Sequence, residues 1–200
     1  MCVDNSIVTL DDTDPQLQWS GPWFTTENSV DDLGNSKLGP PFLGTLHGIS
    51  NNGSLFFSFY RRVANIWGAL RPRNTSGGPD PNWQCLLDGQ DPWPYPDRSH
   101  GNYMFCGSPP LPEGNHTLQL NTVIQSEPLY VYQVLYQAVA TVDIGSAWTQ
   151  VDQRDGRIKY SAGWENSEDG GLKWTYTPGA WLTFDFVGMC FLIDLFNHSS

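Results

Sequence analysis

The chain predicts an all-β protein, an antiparallel β-sandwich with jelly-roll connections. Three observations carry that prediction. Apolar and polar residues alternate over many short runs, no stretch of eleven or more residues shows the three-and-four spacing of an amphipathic helix, and 20 Gly and 15 Pro punctuate 200 residues. That pattern suits short strands joined by tight turns, and short strands without intervening helices cannot form a parallel crossover sheet.

Nine strands follow in order within roughly the first 135 residues. "SIVTLDD" opens the chain's first run and "QLQWS" follows a turn started by Asp14 before Pro15. "TLHGIS" and "SLFFSFY" are separated by "NNG", and the second places Leu55, Phe57 and Phe59 on one face. "ANIWGAL", "WQCLLDG" and "NYMFC" supply three more. In "HTLQLNTV", Leu118, Leu120 and Thr122 share the inner face while Thr117, Gln119 and Asn121 share the outer one. "LYVYQVLYQAV" completes the set.

One phrase is written twice. "DPQLQWSGPW" (14–23) returns 141 positions later as "DGRIKYSAGW" (155–164), with Asp14, Leu17, Trp19 and Trp23 answered by Asp155, Ile158, Tyr160 and Trp164. Phe57 to Phe59, "FSF", is answered in the same order by Phe184 to Phe186, "FDF". Two ordered matches argue for duplication, with a shorter loop in the second copy. The expected organisation is one complete copy over residues 6–139 and a partial second copy over 141–200, so that the chain ends in mid-domain.

Twenty-one acidic residues stand against ten basic ones, a net charge of −11, which argues against a nucleic-acid or anionic-membrane partner. No apolar window is long enough to span a membrane, and "MCVDNSIVTL" lacks the sections of a signal peptide. Sequons at Asn52, Asn74, Asn115 and Asn197 nevertheless favour secretion. Cys85 and Cys106 lie in two strand-like runs flanking a proline-rich loop, where a disulfide would stabilise by about 3 kcal/mol. The other reading is a pair of buried free thiols in a cytosolic protein. Cys2 has no obvious partner and Cys190 reads as core.

In this order, "DDTDPQLQWSGPW", "GTLHGISNNGSLFFSFYRRVANIWGAL", "WQCLLDG", "NYMFC", "LPEGNHTLQLNTV" and "LYVYQVLY" resemble the tandem β-sandwich domains of fungal, mainly basidiomycete, surface proteins. Those domains are similar to the galactose-binding-like jelly roll of many carbohydrate-binding modules. The resemblance covers the first copy and the opening half of the second. It implies an extracellular or cell-surface location and a glycan or wall polysaccharide as partner, with membrane anchoring only if the intact protein extends beyond Ser200. In the matching stretch Leu111 to Leu120, Gly114 makes the turn and Leu118 and Leu120 enter the core; His116 reads either as a ligand or switch or, the favoured reading, as hydrogen-bonding a neighbouring loop.

Sugar binding needs a flat aromatic with polar groups around it. "DGQDPWPYPDRSHGNY" (88–103) offers Trp93 and Tyr95 braced by three prolines, with Asp88, Asp91, Asp97, Arg98 and Asn102 nearby. The alternative folds the two rings back as a lid over the sandwich. Trp19, Trp23 and Trp67 read as packing positions. Asp11, Asp12 and Asp14 invite a structural calcium, although they lack the ligand spacing of an EF-hand and an Asp before Pro also starts an ordinary turn. No other cofactor is indicated. No nucleophile elbow, zincin motif, phosphate loop or paired Cys-x-x-Cys is present, and no carboxylate pair suggests a glycosidase. The expectation is a non-catalytic glycan-binding module. Its rival is a structural or adhesive ectodomain with protein partners, and a third reading is a truncated gene model with exposed edges such as "WLTFDF".

Overall fold

The computed structural model describes residues 7–27, 41–60, 62–71, 73–76, 78–91, 102–137, 148–167 and 173–185. They divide into two units, 1–149 and 150–200, where the sequence placed the change near Thr141. The first unit carries β1 (Ile7–Asp11), β2 (Gln18–Ser20), β3 (Phe24–Thr26), β4 (Leu46–Ile49), β5 (Gly53–Tyr60), β6 (Ala64–Leu70), β7 (Arg73–Thr75), β8 (Gly78–Asp80), β9 (Asn82–Leu87), β10 (Asn102–Gly107), β11 (Asn115–Val123), β12 (Leu129–Gln137) and β13 (Trp148–Gln150). The second carries β14 (Ile158–Tyr160), β15 (Glu165–Asn166), β16 (Lys173–Trp174) and β17 (Leu182–Phe184). No α-helix occurs among the described residues. All nine strands expected over the first 139 residues are present, together with the short strands β3, β7 and β8, which alternation did not announce.

The fold of the first unit is an antiparallel β-sandwich. One sheet runs β10-β6-β12-β1-β13, with β4 also on β12 and β3 on β4; the other runs β2-β5-β11-β9. Period-two alternation sends Leu55, Phe57 and Phe59 of β5 and Leu118 and Leu120 of β11 into the space between the sheets. There they meet Val8 and Leu10 of β1, Ile66 and Leu70 of β6, and Leu129, Val131 and Val134 of β12. Burial of these side chains contributes roughly 1.5–3 kcal/mol each. A smaller cluster, Leu46, Ala69 and Tyr132 with Trp67 and Tyr130 against it, lies on the opposite face of the larger sheet.

Two devices fix the sandwich beyond apolar burial. At one side, Cys85 of β9 is bonded to Cys106 of β10, so the disulfide joins the edge strands of the two sheets. Beside it the buried Trp83 indole N–H donates to the Phe105 carbonyl at 2.9 Å, and the two rings meet edge-on at 5.1 Å. Elsewhere, Asp80 is fully buried. Its carboxylate accepts the backbone N–H groups of Gln125, Ser126 and Glu127 and the Ser126 hydroxyl. Burial pushes this carboxyl up, but the four bonds together hold it below the ordinary carboxylate value. Asp80 thereby holds the β11–β12 connection from 45 positions away in sequence.

The second unit is smaller. β14 pairs with β17 and β15 with β16. The repeated phrase recurs locally: Asp11 and Asp14 each accept the N–H two positions on, and Asp152 and Asp155 do the same. Asp14 and Asp155 also accept through their carbonyls from Leu17 and Ile158. Trp19 and Trp23 meet at 4.6 Å and 57°, Tyr160 and Trp164 at 5.2 Å and 61°. Gln18 pairs with Phe56 and Lys159 with Thr183, the register that aligns Phe57 with Phe184.

Two stability predictions follow from the fixing devices. Replacing Cys85 and Cys106 together by Ser should lower unfolding free energy by about 3 kcal/mol for a loop of 21 residues, measured by urea titration against the oxidised parent. Asp80→Ala leaves four donors without an acceptor and should cost about 3 kcal/mol or more. An effect of Asp80→Ala no larger than that of a surface substitution would show that the β11–β12 connection does not depend on it.

Candidate functional site

The proline-rich loop leaves β9 through a two-residue turn. Leu87 and Gln90 exchange backbone hydrogen bonds of 2.8 and 2.9 Å around Asp88 and Gly89. Both central residues have positive φ, 50° and 75°, as Asp-Gly hairpin turns require. The turn is tied to the start of β11. Asp88 Oδ1 accepts the Thr117 N–H at 2.8 Å, Asp88 Oδ2 lies 2.8 Å from His116 Nδ1, and Asp88 N–H donates to the Thr117 carbonyl. His116 Nε2 lies 3.0 Å from the Pro112 carbonyl.

Both ring nitrogens of His116 therefore face acceptors, which favours the doubly protonated ring. The hydrogen bond to Asp88, then that to Pro112, hold His116 above its ordinary value, and the same bond to His116 holds Asp88 below its own. The loop-fixing role expected of His116 is what the geometry gives. Asp88, read from sequence as a sugar ligand, has both oxygens engaged in holding the turn. One step further on, Gln84 Nε2 donates to Asp91 Oδ2 at 2.9 Å.

Trp93, Tyr95, Asp97 and Arg98 lie outside the described residues. Asn102 opens β10 opposite Ala69, and its backbone alone is described. The loop's return is fixed as well, because β10 pairs with β6 and carries Cys106. Of the sequons, Asn52 and Asn115 are exposed, Asn52 accepting the Ile124 N–H; Asn74 lies in β7; Asn197 is outside the described residues, as are Cys2 and Cys190.

The three carboxylates of "DDTDP" each have partners within the protein. Asp14 caps the Gln16 N–H. Asp12 is fully buried, with Oδ2 2.6 Å from His47 Nδ1 and Oδ1 accepting the Thr45 hydroxyl at 2.6 Å. Asp11 Oδ2 accepts from the Thr13 N–H and hydroxyl. Thr45 also lies 3.4 Å from Asp11 Oδ2. The calcium reading needs all three carboxylates around one ion, and among the described residues no group of three or more His, Cys, Asp or Glu side chains is placed to hold a metal ion.

Sequence reasoning missed His47. Its ring stacks on Trp19 at 4.3 Å, nearly parallel, across the two sheets, with Trp23 tilted against the same indole. The local signal was faint, since Asp12 and His47 are 35 positions apart. In the second unit Trp174 and Tyr176 meet edge-on at 5.2 Å, and both are exposed, as is Trp181.

No protein-family model, curated protein or solved structure matches the chain. Among the described residues no helix is long and apolar enough to cross a membrane.

The Asp88–His116 pair sets a pH window. His116, raised above 6.5, contributes stability fully below that pH and loses it as pH rises through the folded value. Asp88, lowered below 3.8, contributes above that pH and loses it as pH falls through its folded value. The pair is therefore most stabilising between about pH 4 and pH 6.5. Urea titrations should show the stability gap between the parent and His116→Gln narrowing from about pH 5.5 to alkaline pH; a gap independent of pH would remove the charge from this account.

Proposed function

We propose that the chain is a non-catalytic, extracellular carbohydrate-binding module of a fungal surface protein, its first unit a galactose-binding-like jelly roll and its second a partial copy of the same domain. The observation that supports this reading best is the fixing of both roots of the loop that bears Trp93 and Tyr95. Asp88, His116, Thr117 and the Gln84–Asp91 bond hold the departing root, and β10 with its disulfide holds the returning one. Rigid roots and three prolines reduce the ordering entropy of a loop that must present rings to a sugar face. The disulfide and the two exposed sequons, Asn52 and Asn115, support the extracellular setting. Local recurrence of the turns, aromatic pair and register supports the duplication.

A second reading, a structural or adhesive ectodomain with protein partners, is favoured by the exposed Trp174, Tyr176 and Trp181 of the second unit. Pull-down of the full chain on insoluble polysaccharides and a glycan array, with and without calcium, separates the two. Binding to one glycan class should weaken about tenfold or more in Trp93→Ala with unfolding unchanged. Folded protein retained by no glycan would assign the chain to the ectodomain reading.

A further inference from the structure

The sequence contains one Asn-Gly step, Asn52–Gly53, in the connection that carries the chain from β4 of one sheet to β5 of the other. The fold requires the glycine. A Cβ on Gly53 would lie 2.7 Å from the Ser20 carbonyl oxygen and 2.4 Å from Ile49 Cδ1. Gly21, in the crossover from β2 to β3, approaches the same point, since its own Cβ would come within 2.9 Å of Gly53 Cα. Two backbones passing this closely leave room only for glycine.

A glycine after asparagine brings its own chemistry. With no side chain beside it, the Gly53 backbone nitrogen can attack the Asn52 side-chain carbonyl. A bond forms from Gly53 N to Asn52 Cγ, the bond from Cγ to Nδ2 breaks, and Nδ2 leaves as ammonia with the hydrogen of the Gly53 N–H. Water then opens the succinimide to Asp or isoaspartate. Asn52 is exposed, so solvent reaches the step. In the folded chain both reacting groups are nevertheless engaged. The Gly53 N–H donates to Thr122 Oγ1 at 3.0 Å, and the Asn52 side-chain carbonyl accepts the Ile124 N–H at 3.0 Å. The Thr122 hydroxyl hydrogen faces the carbonyls of Gly53 and Asn51, at 3.1 and 3.4 Å. Thr122 is itself buried and stands opposite Gly53 in the β5–β11 register, so one side chain of β11 brackets residues 51–53.

We propose that Asn52 is a conformation-gated modification site, open to deamidation and isoaspartate formation but held closed by Thr122 and the Ile124 N–H while this end of the β5–β11 ladder is formed. Ladder ends open without global unfolding, and each opening frees the nitrogen and the carboxamide together. The product bears on the fold nearby. Ile124 is followed by Gln125, Ser126 and Glu127, whose N–H groups Asp80 holds. Asn52 and Asp80 thus secure four consecutive amides of the β11–β12 connection. Isoaspartate lengthens the backbone at residue 52 by a methylene and shortens the side chain by the same, which breaks the first of those four bonds.

A glycan on Nδ2 would occupy the leaving nitrogen, so the test uses the full-length chain produced in a host that does not glycosylate. The protein is held at mildly alkaline pH, folded or unfolded in guanidinium, and succinimide, Asp and isoaspartate at residue 52 are followed by peptide mass spectrometry. The unfolded chain should convert Asn52 while the folded parent keeps it. Thr122→Val, near-isosteric but without the hydroxyl, should raise the folded rate about tenfold, because the rate tracks the population of the open form. Thr122→Ser should keep the parent's rate. Ile66→Val, a core truncation in β6 of the other sheet, should lower global stability and leave the rate unchanged. Equal acceleration in Thr122→Val and Ile66→Val would assign conversion to global unfolding and overturn the local gate. A folded parent that converts as fast as the unfolded chain would overturn it too, and an unfolded chain that keeps Asn52 would refute the site itself.

Discussion

The first unit depends on the clamp between its two edge strands, where Trp83 and Cys85 of β9 meet Phe105 and Cys106 of β10. Apolar burial brings two sheets together but is non-directional, and the ladder hydrogen bonds of each sheet stop at its own edge. A directional bond from the Trp83 indole to a backbone carbonyl, backed by a covalent bridge, sets where one sheet sits over the other. Because β9 and β10 are also the strands between which the proline-rich loop runs, the clamp that orders the core fixes the separation of that loop's roots.

What was legible in the sequence is what period-two alternation controls. The faces of β5 and β11 follow directly from "SLFFSFY" and "HTLQLNTV", including the burial of Thr122 beside Leu118 and Leu120. β3, β7 and β8 are three residues each, too short to alternate, and owe their existence to a partner strand. The polar residues were harder for the same reason. Asp80 carries no signal of its own in the sequence, yet its carboxylate holds the backbone N–H groups of residues 125 to 127. Asp88 lies in a polar loop segment and reads as a ligand, whereas a positive φ at a two-residue turn aims its carboxylate at Thr117 and His116. A single sequence specifies turn chemistry well and the distant acceptor of that turn hardly at all.

The repeated phrase marks the boundary between those two kinds of information. Both copies build the same Asx turns, the same tilted aromatic pair and the same strand register. The contacts that leave the phrase differ. The Trp23 indole donates to the Ser20 carbonyl within its own turn, while the Trp164 indole donates to the Trp181 carbonyl just before β17. Trp19 stacks on His47, while Tyr160 donates its hydroxyl to the Gln153 carbonyl. Asp152 and Asp155 are each forked by an Arg two positions on and fall to about 2, where the first copy has Thr13 and Gln16. The phrase encodes a way into a sheet, and its surroundings decide what its aromatics do.

"DD" at the close of β1 shows how two neighbouring carboxylates meet different surroundings. Asp11 ends the strand and Asp12 begins the turn after it. Asp12 is fully buried, and His47 and Thr45 satisfy both its oxygens. Asp11 Oδ2 accepts from the Thr13 N–H and lies 3.4 Å from the same Thr45 hydroxyl, while its Oδ1 has no hydrogen-bond partner. A carboxylate pair that reads from sequence as one metal site is thus bridged by a hydroxyl, and burial holds Asp11 above the ordinary carboxylate value.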